Sequence, residues 1–384
     1  MTLVFAYLFK SYQQNSISFL IETTYLDWNT TFPAVSVCQQ SGMNISRLDH
    51  SKFDERDKLP AIEYFITDLL FFAGTCYSCT LTHCFTCPLL NISEIVQKLR
   101  KPCKEILGEC RWNDEKFNCC EYFLPLETEY GICFSFNSLQ TVNQPKNKLN
   151  LQMNRRTGTG RLSVELLEDV RLQFHAPEDV PFINAETNYI KEILHGETYE
   201  ILFNVMELVN DDRIVNLPVN KRKCRFPWEV PPNLKVHKLY SYSTCLVQCH
   251  AENHINICNC THHHMPYYNK LNYCDVKGLN CLSAHIETVN RLHAKGSERL
   301  GLDCDCVPSC TEPEYTSVSV HRLYNQTIGG AFIEMQSLPT SRFKRVVVKD
   351  ALDLVVAVGG AAGLFIGASL QTIVELVYIF FIKI

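Results

Sequence analysis

Cysteine, histidine and a C-terminal run of small and polar residues are the side chains here that could do chemistry. The 384-residue chain carries 20 cysteines. An even count permits complete pairing, but spacing alone leaves the connectivity open. Cys76-x-x-Cys79 and Cys84-x-x-Cys87 invite a zinc reading, yet the gap between the pairs is shorter than a zinc ribbon or finger uses. N-x-S/T sequons at Asn29, Asn44, Asn91, Asn259 and Asn325 agree with the cysteine count on an oxidising, extracellular setting. Cys245 and Cys249 stand at i, i+4 spacing, which puts both sulfurs on one face of a helix, from which two parallel staples can leave. His262, His263 and His264, beside Cys258 and Cys260, cannot all converge on one ion without strong bending. A surface loop is the expectation for them, with metal ligation and pH sensing as the alternatives. No nucleophile elbow, phosphate loop or H-E-x-x-H occurs, so neither an enzyme, a cofactor nor a metal is expected.

The C-terminal run is LVVAVGGAAGLFIGASLQTIVELVYIFFI, Leu354 to Ile382, in which Glu375 is the one charge. At about 29 residues it passes the roughly 20 needed to cross a bilayer. One straight helix of that length reaches about 43 Å against a hydrocarbon core of about 30 Å, so it must tilt, break or extend past the membrane. Gly359, Gly363 and Gly367 form two overlapping G-x-x-x-G patterns, a face that lets another helix approach closely. Ser369, Gln371, Thr372 and Glu375 follow at membrane depth, where polar groups usually face a bundle interior or a watery path. A lone anchor that tolerates a few polar residues is the plainer reading.

Over the whole chain the formal net charge is -5 with no long basic or acidic run, so nucleic acid is not an expected partner. Residues 2–9 are apolar but too short to span a membrane and lack a signal peptide's flanks, which fits the end of a truncated first transmembrane helix. Pro33 holds Phe32 extended, and Ala34 to Val37 alternate like a strand. Residues 61–72 have helical spacing, and 129–137, 161–183, 197–209 and 314–323 read as strands. Block 76–120 shows little periodicity, so disulfides are expected to replace a core there.

TTFPAVSVC, TEYGICFSFN, YSYSTCLVQC with CNC and CDCVPSC, and GGAAGLFIGAS, in this order, resemble the degenerin/epithelial sodium channel family, closest to insect pickpocket-type subunits. The resemblance runs from Phe32 to Tyr378. It implies an α+β membrane protein with a β-rich, disulfide-stapled extracellular domain carrying peripheral helices. Residues 1–12 would end the first transmembrane helix, 13–350 form the extracellular domain and 351–384 the second transmembrane helix. It further implies a plasma-membrane, amiloride-sensitive channel that passes Na+ as a homo- or hetero-trimer with related subunits in the lipid bilayer, gated by ligand, acid or force. A non-conducting accessory subunit, or a single-pass disulfide-rich receptor, is the alternative.

Carried over by position, the resemblance puts the G-x-S selectivity filter on Gly367, Ala368 and Ser369, an acidic ring on Glu375, the outer gate on Val356 and helix packing on Gly359 and Gly363. It also implies the disulfides Cys38–Cys133, Cys103–Cys110, Cys224–Cys310, Cys245–Cys306, Cys249–Cys304, Cys258–Cys281 and Cys260–Cys274, leaving Cys76, Cys79, Cys84, Cys87, Cys119 and Cys120 open. Val356 is bulky where the family favours a small residue, and its His-Gly motif has no counterpart here.

Overall fold

A computed structural model describes residues 17–43, 59–80, 91–186, 189–266, 273–293, 301–324, 327–348, 351–367 and 370–381, with 4, 6, 7, 10 and 47. The chain divides into two compact units. The larger comprises residues 24–207 and 225–340 and is built on two sheets. One runs, in spatial order, Ile190–Ile193, Val170–His175, Ala34–Gln39, Gly131–Phe136 and Leu124–Thr128, antiparallel throughout. The other runs Glu314–Leu323, Thr198–Met206, Gly329–Met335, Arg161–Leu166, Leu107–Trp112 and Glu115–Phe117. Its second and third strands are parallel. Ala34–Gln39 is buried along its whole length, as a central strand covered on both faces should be. Its polar Ser36 is satisfied within the sheet by Ser135 Oγ at 2.9 Å and His175 Nε2 at 2.8 Å. Phe32 sits edge-on to Trp112 and Phe203, with ring centroids 4.8 and 5.8 Å away, and Phe174 and Tyr315 complete the core. Each such buried aromatic contributes about 1.5–3 kcal/mol.

A second apolar cluster lies among the helices Leu59–Leu70, Ile92–Leu99 and Val276–Ala284. Block 76–120 therefore does have a core. Ile92, Ile95, Val96 and Leu99 form the buried face of a helix whose N-cap, Asn91, accepts a hydrogen bond from Glu94 N. Cys76 and Cys79 are joined to each other.

The expected Cys103–Cys110 bond is not formed. Cys103 bonds Cys120, and Cys110 bonds Cys119. The reason is the short helix Cys119–Tyr122, which packs both on the Cys103–Ile106 turn and on the strand carrying Cys110, so that adjacent cysteines meet different neighbours. Cys38 bonds Cys133 across neighbouring strands. The helix Tyr242–Cys258 opens with a capping box between Ser241 and Thr244 and stops at Asn259, whose φ of 58° is left-handed. Its sulfurs make Cys245–Cys306, Cys249–Cys304 and Cys258–Cys281, and Cys260 bonds Cys274 just beyond it. Cys224 and Cys310 are also in disulfides.

The smaller unit comprises residues 1–23, 208–224 and 341–384. Its sheet places Arg342–Val347 between Ile17–Glu22 and Leu208–Asn210. Glu22 receives Arg342 Nε at 2.8 Å and Lys344 Nζ at 3.1 Å, bonds that hold its carboxyl below the usual range. Arg342 and Lys344, two of the basic residues before the last apolar segment, are thus strand residues with an acidic partner. Buried Arg222 donates to the carbonyls of Val215, Leu217 and Cys224 at 3.2, 2.9 and 3.0 Å.

Candidate functional site

The C-terminal segment folds as two helices, Ala351–Ile366 of 16 residues and Leu370–Phe381 of 12. At 1.5 Å per residue they measure about 24 and 18 Å. Among the described residues, no helix is long and apolar enough to cross a membrane. The interruption begins at Gly367, whose amide still donates to Gly363 O at 3.1 Å while its φ turns to +66°. A residue with a Cβ is strained in that conformation, and glycine is not. Ala368 and Ser369 lie outside the described residues.

Along the two helices, Val356 is 65% exposed, and Val355, Val374, Ile379 and Phe380 are likewise turned outward. A Cβ built on Gly359 would meet nothing within 4 Å, so that helix face is free in the single chain. Glu375 is exposed and accepts from Gln371 Nε2 at 3.2 Å, one turn earlier on the same helix. Apolar side chains exposed in this number need a hydrocarbon or protein surround.

In the larger unit, the three histidines expected on a surface loop are buried instead. They close the C-terminal end of the helix Leu59–Leu70, whose last carbonyls have no partner within the helix. His263 Nε2 lies 2.8 Å from Leu69 O, and His264 Nε2 lies 3.0 and 3.1 Å from Leu69 O and Leu70 O. A carbonyl only accepts, so both rings carry a proton on Nε2. Arg100 adds donors to Leu70 O at 3.0 Å, Tyr130 O at 2.6 Å and Ile132 O at 3.0 Å. His262 Nδ1 accepts from His264 N at 3.3 Å, and Phe72 packs on the rings of His262 and His263. Burial pushes all three imidazoles down, His263 to about 4, and burial likewise takes Arg100 to about 10, still cationic at neutral pH.

Behind them, buried His250 pairs with buried Glu129. Burial pushes the Glu129 carboxyl up, but His250 and the amide of Ile183, at 2.8 Å, more than offset it and hold it down. Sequence patterns gave no sign of this cluster, because a helix end that needs donors is a tertiary demand.

Among the described residues, the set close enough to share a metal is Cys258, Cys281 and His285. Its two sulfurs are already bonded to each other, which leaves no thiolate. Of the sequon asparagines, Asn29, Asn91 and Asn259 are exposed, and Asn44 and Asn325 lie outside the described residues. Asn29 and Asn91 both use their carbonyl oxygens as acceptors, from Asn154 Nδ2 at 2.8 Å and Glu94 N at 3.4 Å, leaving the amide nitrogen for a sugar.

A family model described as amiloride-sensitive sodium channel matches residues 1–379. The chain is similar to sodium channel protein Nach of Drosophila ananassae, 24% identical over 322 residues that cover 76% of this chain and 59% of that protein. It is 28% identical to the bile acid-sensitive ion channel of Mus musculus over 289 residues, 66% of this chain and 54% of that one. Pickpocket protein 19 of Drosophila melanogaster is 24% identical over 406 residues, 94% of this chain and 78% of that one. The chain thus spans little more than half of the first two relatives' length.

Proposed function

The chain belongs to the amiloride-sensitive sodium channel family, and from that premise we propose that it is a subunit of a trimeric, amiloride-sensitive channel passing Na+ across the plasma membrane. In this reading residues 13–350 lie outside the cell with sugars on the sequon asparagines, and residues 351–384 enter the bilayer. Gly367, Ala368 and Ser369 line the narrowest passage, three glutamates from Glu375 form a ring that attracts cations, Val356 stands at the outer gate, and Gly359 and Gly363 pack against a neighbouring helix.

The observation that carries the reading is the break at Gly367. A plain anchor gains nothing from interrupting its helix in hydrocarbon, where each unpaired backbone group is costly; irregular backbone at membrane depth is tolerated where it lines a watery cavity. Backbone oxygens freed at such a break can replace a cation's water shell.

The test is current recorded from cells that display the subunit at their surface together with related subunits. Amiloride-blocked current whose reversal potential shifts when K+ replaces Na+ is the expected result. Surface protein that adds no such current and leaves selectivity unchanged favours the accessory subunit or receptor.

A further inference from the structure

Beside Trp28 the larger unit has a recess of about 110 Å³. Trp28, Leu338 and Pro339 give it apolar walls, Trp28 being 9% exposed. Its charged group is Arg155, whose guanidinium lies over the Tyr25 ring at 4.9 Å. Among the described residues no carboxylate pairs with Arg155. The turn that carries it is held firmly. Asn154 Oδ1 accepts from Arg156 N at 2.8 Å and Thr157 N at 3.0 Å, Gly158 N donates to Asn154 O at 2.8 Å, and Asn154 Nδ2 reaches Asn29 Oδ1 at 2.8 Å.

We propose that this recess binds the end of an amphipathic oxyanion, with the hydrocarbon part against Trp28, Leu338 and Pro339 and the carboxylate or phosphate on Arg155. The guanidinium fork matches either oxyanion with paired hydrogen bonds, and the Tyr25 ring face attracts the cation without neutralising its charge. A cationic ligand finds no acidic partner among the lining residues, and a fully polar one would strip water from the apolar walls for nothing in return. The recess is well under the roughly 300–1,000 Å³ of sites that enclose a whole drug-sized ligand, so only a headgroup-sized fragment enters. Two of its three lining segments, 25–30 and 338–340, adjoin in sequence the paired strands Ile17–Glu22 and Arg342–Val347, the second of which leads to the broken C-terminal segment. An effect of the ligand on current would rest on the channel reading; its binding does not.

The test therefore reads binding. The purified, reconstituted full chain is titrated calorimetrically with 3-phenylpropanoate, 3-phenylpropyl phosphate, 3-phenylpropanol and 3-phenylpropylammonium. Saturable binding of one or both anions, at least tenfold tighter than the alcohol or the ammonium, is expected, and which anion binds tighter separates a carboxylate ligand from a phosphate one. Arg155→Gln should weaken the anions at least tenfold, Arg155→Lys should restore part of the loss, and Arg155→Glu should turn the preference to the ammonium. Exposed Arg155 is replaceable without unfolding, which unchanged thermal melting checks. Equal binding of the anion and the ammonium, undiminished binding by Arg155→Gln, or no saturable binding at millimolar anion overturns the proposal.

Discussion

Protonating His263 would put a second cation beside Arg100, at a helix end where His263 already donates to Leu69 O and Arg100 to the next carbonyl, Leu70 O. Its imidazole is therefore neutral in the folded protein, with burial and then Arg100 opposing the charge against the Leu69 carbonyl, and titrates at about 4 instead of 6.5. His254 behaves alike, also at about 4, through burial and the nearby His250. Because the unfolded chain binds these protons first, the stability they contribute is complete above pH 6.5 and is lost as the pH falls from 6.5 through 4. A shift of this size corresponds to about 3 kcal/mol per histidine once the pH is below both values. Thermal unfolding followed from pH 7.5 to pH 4 should show the melting temperature falling most steeply below 6.5. Replacing His263 and His264 together by Gln, which keeps a donor and does not titrate, should cost stability at neutral pH and flatten the acid slope. An equally steep slope in that variant would show that other groups carry the acid sensitivity.

Elements are where sequence patterns worked best, and where their failures are most instructive. Period-two strings became strands at Ala34–Gln39, Gly131–Phe136, Thr198–Met206 and Glu314–Leu323, and the 3.6-residue spacing near residue 61 became Leu59–Leu70. Ile92–Leu99 lies in the cysteine-dense block, where its signals are short and local: Asn91 as cap and the I-x-x-I-V-x-x-L spacing. The partners of Cys103 and Cys110 depend on how a four-residue helix packs, and no spacing encodes that. The helix Tyr242–Cys258 is stapled twice to residues 304–306, by bonds spanning 61 and 55 residues. In the chain-entropy account either bond closes nearly the same loop of the unfolded chain, so the second adds little that the first has not supplied. Removing Cys249 and Cys304 alone, or Cys245 and Cys306 alone, as serine pairs should cost about 1 kcal/mol. Removing all four should cost about 4 kcal/mol, what that account assigns to a loop of roughly 60 residues and well above the sum of the two single losses. Denaturant titrations of the three variants decide this, and single losses that simply add up to the double one would rule out the shared-loop account.

At the scale of the whole molecule, the proposed trimer turns each substitution near Gly367 into a ring of three at one level. Small changes in side-chain volume there should therefore have large effects. Ser369→Cys keeps the disulfides of the larger unit, the capped helix end and the Gly359–Gly363 face intact, so subunits should still assemble. It should nonetheless alter the sodium-to-potassium permeability ratio and make the current sensitive to cadmium, because three thiols at one level can share a soft cation. Glu375→Gln removes charge without changing shape. Its effect should be mainly a lower conductance at low salt, where the Debye length is about 30 Å at 0.01 M and a ring of carboxylates concentrates cations most, fading near 0.15 M where it is about 8 Å. Ser319→Cys supplies the control, since that serine lies on the strand Glu314–Leu323 of the larger unit. Reversal potentials under sodium/potassium exchange, recorded for the three variants beside the parent, separate the possibilities. A shift with Ser369→Cys and none with Ser319→Cys supports a filter at the broken helix. If Ser319→Cys shifts selectivity and Ser369→Cys leaves both selectivity and the cadmium response unchanged, the narrowest passage is elsewhere, and the left-handed turn at Gly367 needs another explanation.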